Sequence, residues 1–73
     1  MTRQTLDCRG MNCPMPIVAV TKAIKTLASG DVLEVTATDL AFRPDIEAWT
    51  RRTGHKLESF EVGEFQVASI RVK

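Results

Sequence analysis

Hydrophobic and polar residues alternate in four segments of the chain, and this period of two predicts four β-strands. The predicted strands cover residues 4–8, 32–38, 56–62 and 65–72. The last two flank Gly63-Glu64, a pair suited to a two-residue hairpin turn. A bulge near Phe65 and Val67 could shift the register there, so the pattern leaves open which faces these two side chains take.

Two other segments have a helical period. The first carries apolar residues at spacings of three, four and three, which form one stripe on a helix: Ile17, Val20, Ile24 and Leu27. Pro14 suits the first position of this helix, and Gly30 is expected at its left-handed stop. The second helix is predicted over residues 44–53, with Gly54 ending it.

The predicted order is strand, helix, strand, helix, strand, strand. Right-handed crossovers place both helices on one face of a sheet. We therefore expect an α/β fold: a two-layer sandwich of βαβαββ order, with a four-stranded mixed sheet, two helices on one face and one wet face. No repeat or long linker interrupts the pattern, so residues 1–73 are predicted to form a single domain.

Size and charge restrict the function. A chain of 73 residues with a net charge of +1 has little scaffold for an enclosed catalytic cleft and no electrostatic reason to bind nucleic acid. A carrier, a binding module or a simple regulator is favoured. No apolar run resembles a signal peptide or a membrane span, so we expect a soluble cytoplasmic protein with no membrane partner.

The two cysteines, Cys8 and Cys13, are expected to be free thiols in a reducing cytosol. Two thiols fall short of the four ligands of a structural zinc site, and His55 does not supply the deficit, so no metal or cofactor is expected. Cys8 is predicted on the inward side of a strand, where a small core residue is the favoured interpretation. The alternative is a second thiol that forms a disulfide with Cys13.

The segment Cys13-Pro14-Met15-Pro16 is the strongest candidate for chemistry. Cys13 is predicted at the N-cap of the first helix, where the positive end of the helix dipole favours a thiolate, the nucleophilic form. Because the prolines have no N–H, only Met15 and Ile17 among these residues can donate to the sulfur. Pro14 disfavours a helical Cys13. The motif is expected to present the sulfur on a rigid, exposed corner, a geometry suited to transfer between proteins.

Other polar residues have simpler interpretations. Asp7 and Arg9 are expected to hold the turn after the first strand, although Arg9 could recognise a partner or an anionic sulfur compound. His55 follows Gly54 and is expected to interact with the last helical carbonyls, with a catalytic base as the alternative. Four cations are expected to form a solvated face, or could dock an acidic partner: Arg43, Arg51, Arg52 and Lys56.

Residues 6–16, with the core Arg-Gly-x-x-Cys-Pro-x-Pro, resemble the TusA (SirA-like) family of sulfur carriers. The likeness continues at Gly30-Asp31, Thr38-Asp39, Asp45-Ile46 and Gly54-His55. Two positions depart from the family. Residues 40–44 replace the Pro-Gly or Pro-Ala that many members have after the Thr-Asp pair, and Cys8 stands where many members have alanine.

The resemblance implies that Cys13 accepts sulfane sulfur as a persulfide and passes it to an acceptor protein. The implied donor is a cysteine desulfurase or a rhodanese-like protein, and the implied acceptor is a DsrE-like or similar protein. Transfer RNA thiolation, molybdenum-cofactor assembly and sulfur oxidation are the implied pathways. We expect a monomer that does not bind nucleic acid directly, with an active corner supported by Arg9, Gly10, Asn12, Pro14 and Pro16.

Two other functions remain open from the sequence. Cys8 and Cys13 could form a reversible pair in a thiol redox sensor. The chain could also be a non-catalytic regulatory or RNA-binding module, because the C-terminal domain of translation initiation factor three has the same strand–helix order. The near-neutral charge and the lack of a basic stripe with aromatic residues argue against RNA binding.

Overall fold

The computed structural model describes residues 2–12 and 15–73. The elements follow the predicted order, with these bounds: β1 Arg3–Cys8, α1 Met15–Ile24, β2 Val32–Ala37, α2 Phe42–Thr53, β3 Lys56–Val62 and β4 Gln66–Arg71. The predicted fold class, a mixed four-stranded sheet with two helices, is confirmed. Among these described residues, neither helix is long and apolar enough to cross a membrane.

The sheet has the strand order β1-β2-β4-β3. β1 pairs with β2 in parallel, and β4 is antiparallel to both β2 and β3. The carboxyl ends of β1, β2 and β3 therefore meet at one end of the sheet, beside the start of β4. We call this end, formed by residues 9–12, 38–41 and 62–66, the carboxyl edge. The opposite end, formed by residues 25–31, 51–56 and 71–73, is the amino edge.

One hydrophobic core lies between the sheet and the helices. The alternation is clearest in β2, where Leu33, Val35 and Ala37 are buried and the residues between them are half-buried. Both helices pack against the same sheet face, as predicted. The fully or almost fully buried members of the core are Cys8, Val20, Leu33, Val35, Ala37, Phe42, Ile46, Trp49, Ala68 and Ile70.

The helix boundaries differ from the prediction. α1 ends at Ile24; Leu27 packs against the core from a following turn, and Gly30 lies in the connection to β2 rather than at the helix stop. α2 begins two residues earlier than predicted, at Phe42. Phe42 is buried and its ring stacks on Phe60 at 6.0 Å between centroids. Burial of this ring favours the earlier start of the helix.

β3 and its turn also differ from strict alternation. The register shifts between Leu57 and Ser59, which makes Glu58 an extra residue in β3. The bulge allows Leu57 and Phe60, three positions apart, to pack against the same core. The hairpin turn has three residues, 63–65, because Val62 pairs with Gln66. The predicted two-residue turn is therefore wrong, and the bulge lies in β3 rather than near Phe65.

Candidate functional site

The predicted nucleophile, Cys13, and its neighbour Pro14 lie outside the described residues. The residues on either side of them are joined, because the Met15 N–H donates to the Asn12 carbonyl over 2.8 Å. This bond occupies the Met15 N–H, one of the two backbone donors that the sequence predicts near the sulfur. Asn12 is exposed, and Met15 is the first residue of α1.

Asp7 and Arg9 form the predicted pair at the end of β1. The Arg9 guanidinium donates to both Asp7 carboxylate oxygens over 2.9 Å, and the Arg9 N–H donates to Oδ1 over 3.0 Å. These bonds lower the pKa of Asp7 to about 2. The guanidinium also lies 5.2 Å from the centroid of the Phe65 ring. A bidentate ion pair and an aromatic ring thus fix the direction of Arg9 at the carboxyl edge.

Gly10 connects the turn after β1 to the end of β2. Its φ of 81° is in the left-handed region that glycine adopts without strain. In this conformation the Gly10 N–H donates to Thr38 Oγ1 over 2.9 Å, while the Met11 N–H donates to the Cys8 carbonyl over 3.2 Å. The turn of residues 9–12 is therefore held by a side chain just after β2 as well as by its own backbone.

The segment that departs from the family pattern lies next to this turn. The Asp39 carbonyl accepts hydrogen bonds from Gln66 Nε2 over 2.7 Å and from the Phe42 N–H over 3.0 Å. Asp39 Oδ1 accepts from the Ala41 N–H over 3.2 Å. These bonds define a tight entry to α2 with Leu40 at its outer side, where 90% of the Leu40 surface is exposed.

Apolar side chains surround the carboxyl edge. Among residues 2–12 and 15–73, four large hydrophobic side chains are exposed: Met15, Val18, Leu40 and Val62. Leu40 and Val62 belong to the carboxyl edge, and Met15 and Val18 lie in the first turn of α1, which starts there. We call these four residues the apolar rim. All four residues belong to one end of the domain, where exposed apolar area is available to a protein partner.

Cys8 is fully buried and is a free thiol. It is the last residue of β1, and its pKa is raised, first by loss of hydration and then by the negative charge of Asp7. A buried thiol with a raised pKa is a poor nucleophile. The structure therefore agrees with the core interpretation of Cys8.

Two other predicted residues have structural roles. Pro16, expected to support the active corner, is buried in α1. His55 does not cap α2; the Gly54 N–H does so by donating to the Thr50 carbonyl over 2.9 Å. His55 instead stacks on Trp49 at 5.3 Å and accepts a hydrogen bond at Nδ1 from the Lys73 N–H over 3.0 Å. It lies at the amino edge, at the opposite end of the sheet from the turn before Cys13.

Three contributors to the site were not identified from the sequence: Phe65, Leu40 and Val62. Val62 is the last residue of β3 and Phe65 is the last residue of the hairpin turn, and no local sequence pattern shows that either side chain lies at the site. The exposure of Leu40 depends on the hydrogen bonds of Asp39. The sequence did contain one indication for Leu40: residues 40–44 depart from the family pattern.

Comparison with known proteins shows to which family the chain belongs. Residues 4–73 match the family described as sulfurtransferase TusA. The sulfur carrier protein TusA of Allochromatium vinosum is 44% identical over 61 residues, which cover 82% of this chain and 80% of that protein. Two Bacillus subtilis proteins are also similar. YrkI is 48% identical over 54 residues, 74% of this chain and 72% of YrkI. YrkF is 51% identical over 51 residues, 70% of this chain but 28% of YrkF.

The family match spans nearly the whole chain, from residue 4 to residue 73. The chain belongs to the TusA family of sulfurtransferases, whose members include sulfur carrier proteins.

Proposed function

We propose that this protein carries sulfane sulfur as a persulfide on Cys13 and transfers it to an acceptor protein. The arrangement of residues at the carboxyl edge supports the proposal. Asn12 and Met15, the residues on either side of the Cys13-Pro14 pair, are hydrogen-bonded to each other next to an exposed apolar rim. A thiol in this segment would be available to a protein partner.

The transfer conserves atoms and electrons. The Cys13 thiolate attacks the terminal sulfur of a donor persulfide, the donor S–S bond breaks, and the donor leaves as a thiolate. Cys13 then carries the new S–S bond, and its own terminal sulfur is transferred when an acceptor thiolate attacks. No net oxidation occurs, so no cofactor is needed. The first-turn Ile17 N–H and the dipole of α1 would favour the anionic sulfur.

The apolar rim favours a protein partner. Its four side chains are exposed, and they offer apolar area to a second protein. A cysteine desulfurase or a rhodanese-like protein would supply the sulfur, and a DsrE-like or similar protein would accept it. The proposal assumes a reducing compartment such as the cytosol, because Cys13 must return to a free thiol after each cycle.

The redox-sensor alternative is disfavoured by Cys8. A reversible Cys8–Cys13 disulfide would require a thiol that is fully buried and has a raised pKa to react. The carrier function requires nothing from Cys8 except packing.

Intact-protein mass spectrometry tests the proposal. The wild type, Cys13→Ser and Cys8→Ala are incubated with a cysteine desulfurase and cysteine, or with polysulfide. We expect a gain of one sulfur in the wild type and in Cys8→Ala, and none in Cys13→Ser. Sulfur retained by Cys13→Ser, or no gain in the wild type, would refute the assignment.

A further inference from the structure

An open groove at the amino edge is not used by the proposed sulfur transfer. It lies between the end of α2 and the start of β3, has a volume of about 450 Å³, and is lined by Glu47, Thr50, Arg51, His55, Lys56 and Leu57. The volume is within the range of about 300–1,000 Å³ that binding pockets have. Because the groove is open, a ligand would keep much of its surface in solvent, as a segment of a larger molecule does.

The groove has an excess of positive charge. Arg51 and Lys56 line it, and within the described part of the chain neither forms an ion pair. Glu47 is the acidic residue in the lining, and Arg43 lies 3.7 Å from it. The groove therefore offers two cations whose charges the fold leaves uncompensated.

Lys73 adds a third cation beside the groove. Its N–H donates to His55 Nδ1 over 3.0 Å. Its Nζ atom lies 3.1 Å from the position that a Cβ on Gly54 would occupy, so the ammonium group lies over the loop between α2 and β3. His55 is held in turn by stacking on Trp49. The contacts of His55 thus join the loop after α2 to the segment after β4 beside the groove.

Charge is unevenly distributed between the two ends of the sheet. The amino edge has six basic residues and one acidic residue: Lys25, Asp31, Arg51, Arg52, Lys56, Arg71 and Lys73. The carboxyl edge has one basic and two acidic residues, Arg9, Asp39 and Glu64. The net charge of +1 therefore conceals a strongly basic amino edge.

We propose that this groove binds an acidic segment of a partner protein. Arg51 offers a planar fork that matches a carboxylate, and the aliphatic parts of Arg51, Lys56 and Leu57 offer apolar contact. Single-stranded nucleic acid is a weaker match because binding it relies on exposed aromatic rings. Of the two rings at the groove, Trp49 is only 4% exposed, and His55 is half-buried with its ring stacked on Trp49. The site is independent of the sulfur chemistry, because it lies at the other end of the sheet.

Fluorescence anisotropy with a short, fluorescein-labelled, glutamate-rich peptide tests this proposal on the intact chain. The wild type is expected to bind, and its affinity to fall as salt is raised. Arg51→Glu combined with Lys56→Glu is expected to weaken binding about tenfold. Glu47→Gln is expected to strengthen it about twofold. Amide shifts on titration should be confined to residues 47–57 and 73.

The matched control is Lys22→Glu combined with Lys25→Glu. It changes the net charge by the same amount, but both residues are exposed and outside the groove lining. Equal weakening by the two double variants would overturn the proposal in favour of non-specific attraction. Tighter binding of an oligouridylate of equal charge would overturn it in favour of nucleic acid, and no peptide binding at low salt would overturn it outright.

Sulfur loading is measured on the same variants. It should be unchanged in Arg51→Glu combined with Lys56→Glu, because these residues lie far from the carboxyl edge. Peptide binding therefore tests the groove proposal, and sulfur loading tests the carrier proposal independently of it. A circular dichroism melt of each variant confirms that the fold is retained.

Discussion

Replacement of Cys8 distinguishes a core residue from a second reactive thiol. The side chain is fully buried in the core cluster. Cys8→Ala removes one heavy atom, which costs about 0.8 kcal/mol in lost burial and a further few tenths for the small cavity. We expect the free energy of unfolding to fall by about 1 kcal/mol and Tm by about 4–8 °C. Cys8→Ser is expected to cost more, about 1–3 kcal/mol, because it places a hydroxyl among apolar side chains.

Urea unfolding followed by tryptophan fluorescence measures these differences, because Trp49 is the single tryptophan of the chain and is buried. Thr5→Ser is the matched control: it also removes one heavy atom from β1, but at an exposed position, and should stay within about 0.5 kcal/mol of the wild type. Sulfur loading should be unchanged in Cys8→Ala. A Cys8→Ser variant as stable as the wild type, or a stable Cys8→Ala variant that cannot pass sulfur on, would refute the core interpretation.

Three further predictions concern other parts of the fold. Gly54→Ala should lower stability by about 1–2 kcal/mol, because Gly54 has a φ of 86°, whereas Gly63→Ala, without positive φ and with open space around it, should be nearly neutral in the same melt. The pKa of Asp7 is lowered from 3.8 to about 2, so its pairing with Arg9 stabilises the fold above about pH 4 and is lost as the pH falls towards 2. In Asp7→Asn the free energy of unfolding should therefore depend less on pH between these values. An unchanged pH dependence would contradict the pairing. Leu40→Asp should slow sulfur transfer to a protein acceptor while loading from polysulfide and Tm stay unchanged; equal slowing of both reactions would argue against the apolar rim as a docking surface.

The sequence predicts most of the fold because its periods are local properties. The apolar stripe of α1 and the alternation in β2 each specify one buried face, and the order of elements then restricts the topology. The start of α2 could not be located in this way, because Phe42 is drawn into the helix by burial against Phe60. The bulge at Glu58 is likewise a tertiary effect, since it brings Leu57 and Phe60 to one core.

The site was predictable only where its contacts are local. Asp7 and Arg9 are two residues apart, and their pairing follows from their positions in the turn. The stacking of Arg9 on Phe65 joins residues from the two ends of the chain, so no local pattern reveals it. The same holds for His55, whose partner Lys73 arrives at the end of the last strand. The structure of Cys13 itself lies outside the described residues, and its role stays a proposal.

The bulge in β3 has a consequence for how the protein behaves at high concentration. β3 is an edge strand, and a regular edge offers a row of backbone groups to which another chain can add. The extra residue at Glu58 interrupts that row, and the exposed Glu58 and Glu61 place charges along it. Edge-to-edge stacking of copies is therefore discouraged, although Val62 exposes an apolar surface at the end of the same strand. The bulge thus discourages strand addition at β3 while Val62 stays exposed.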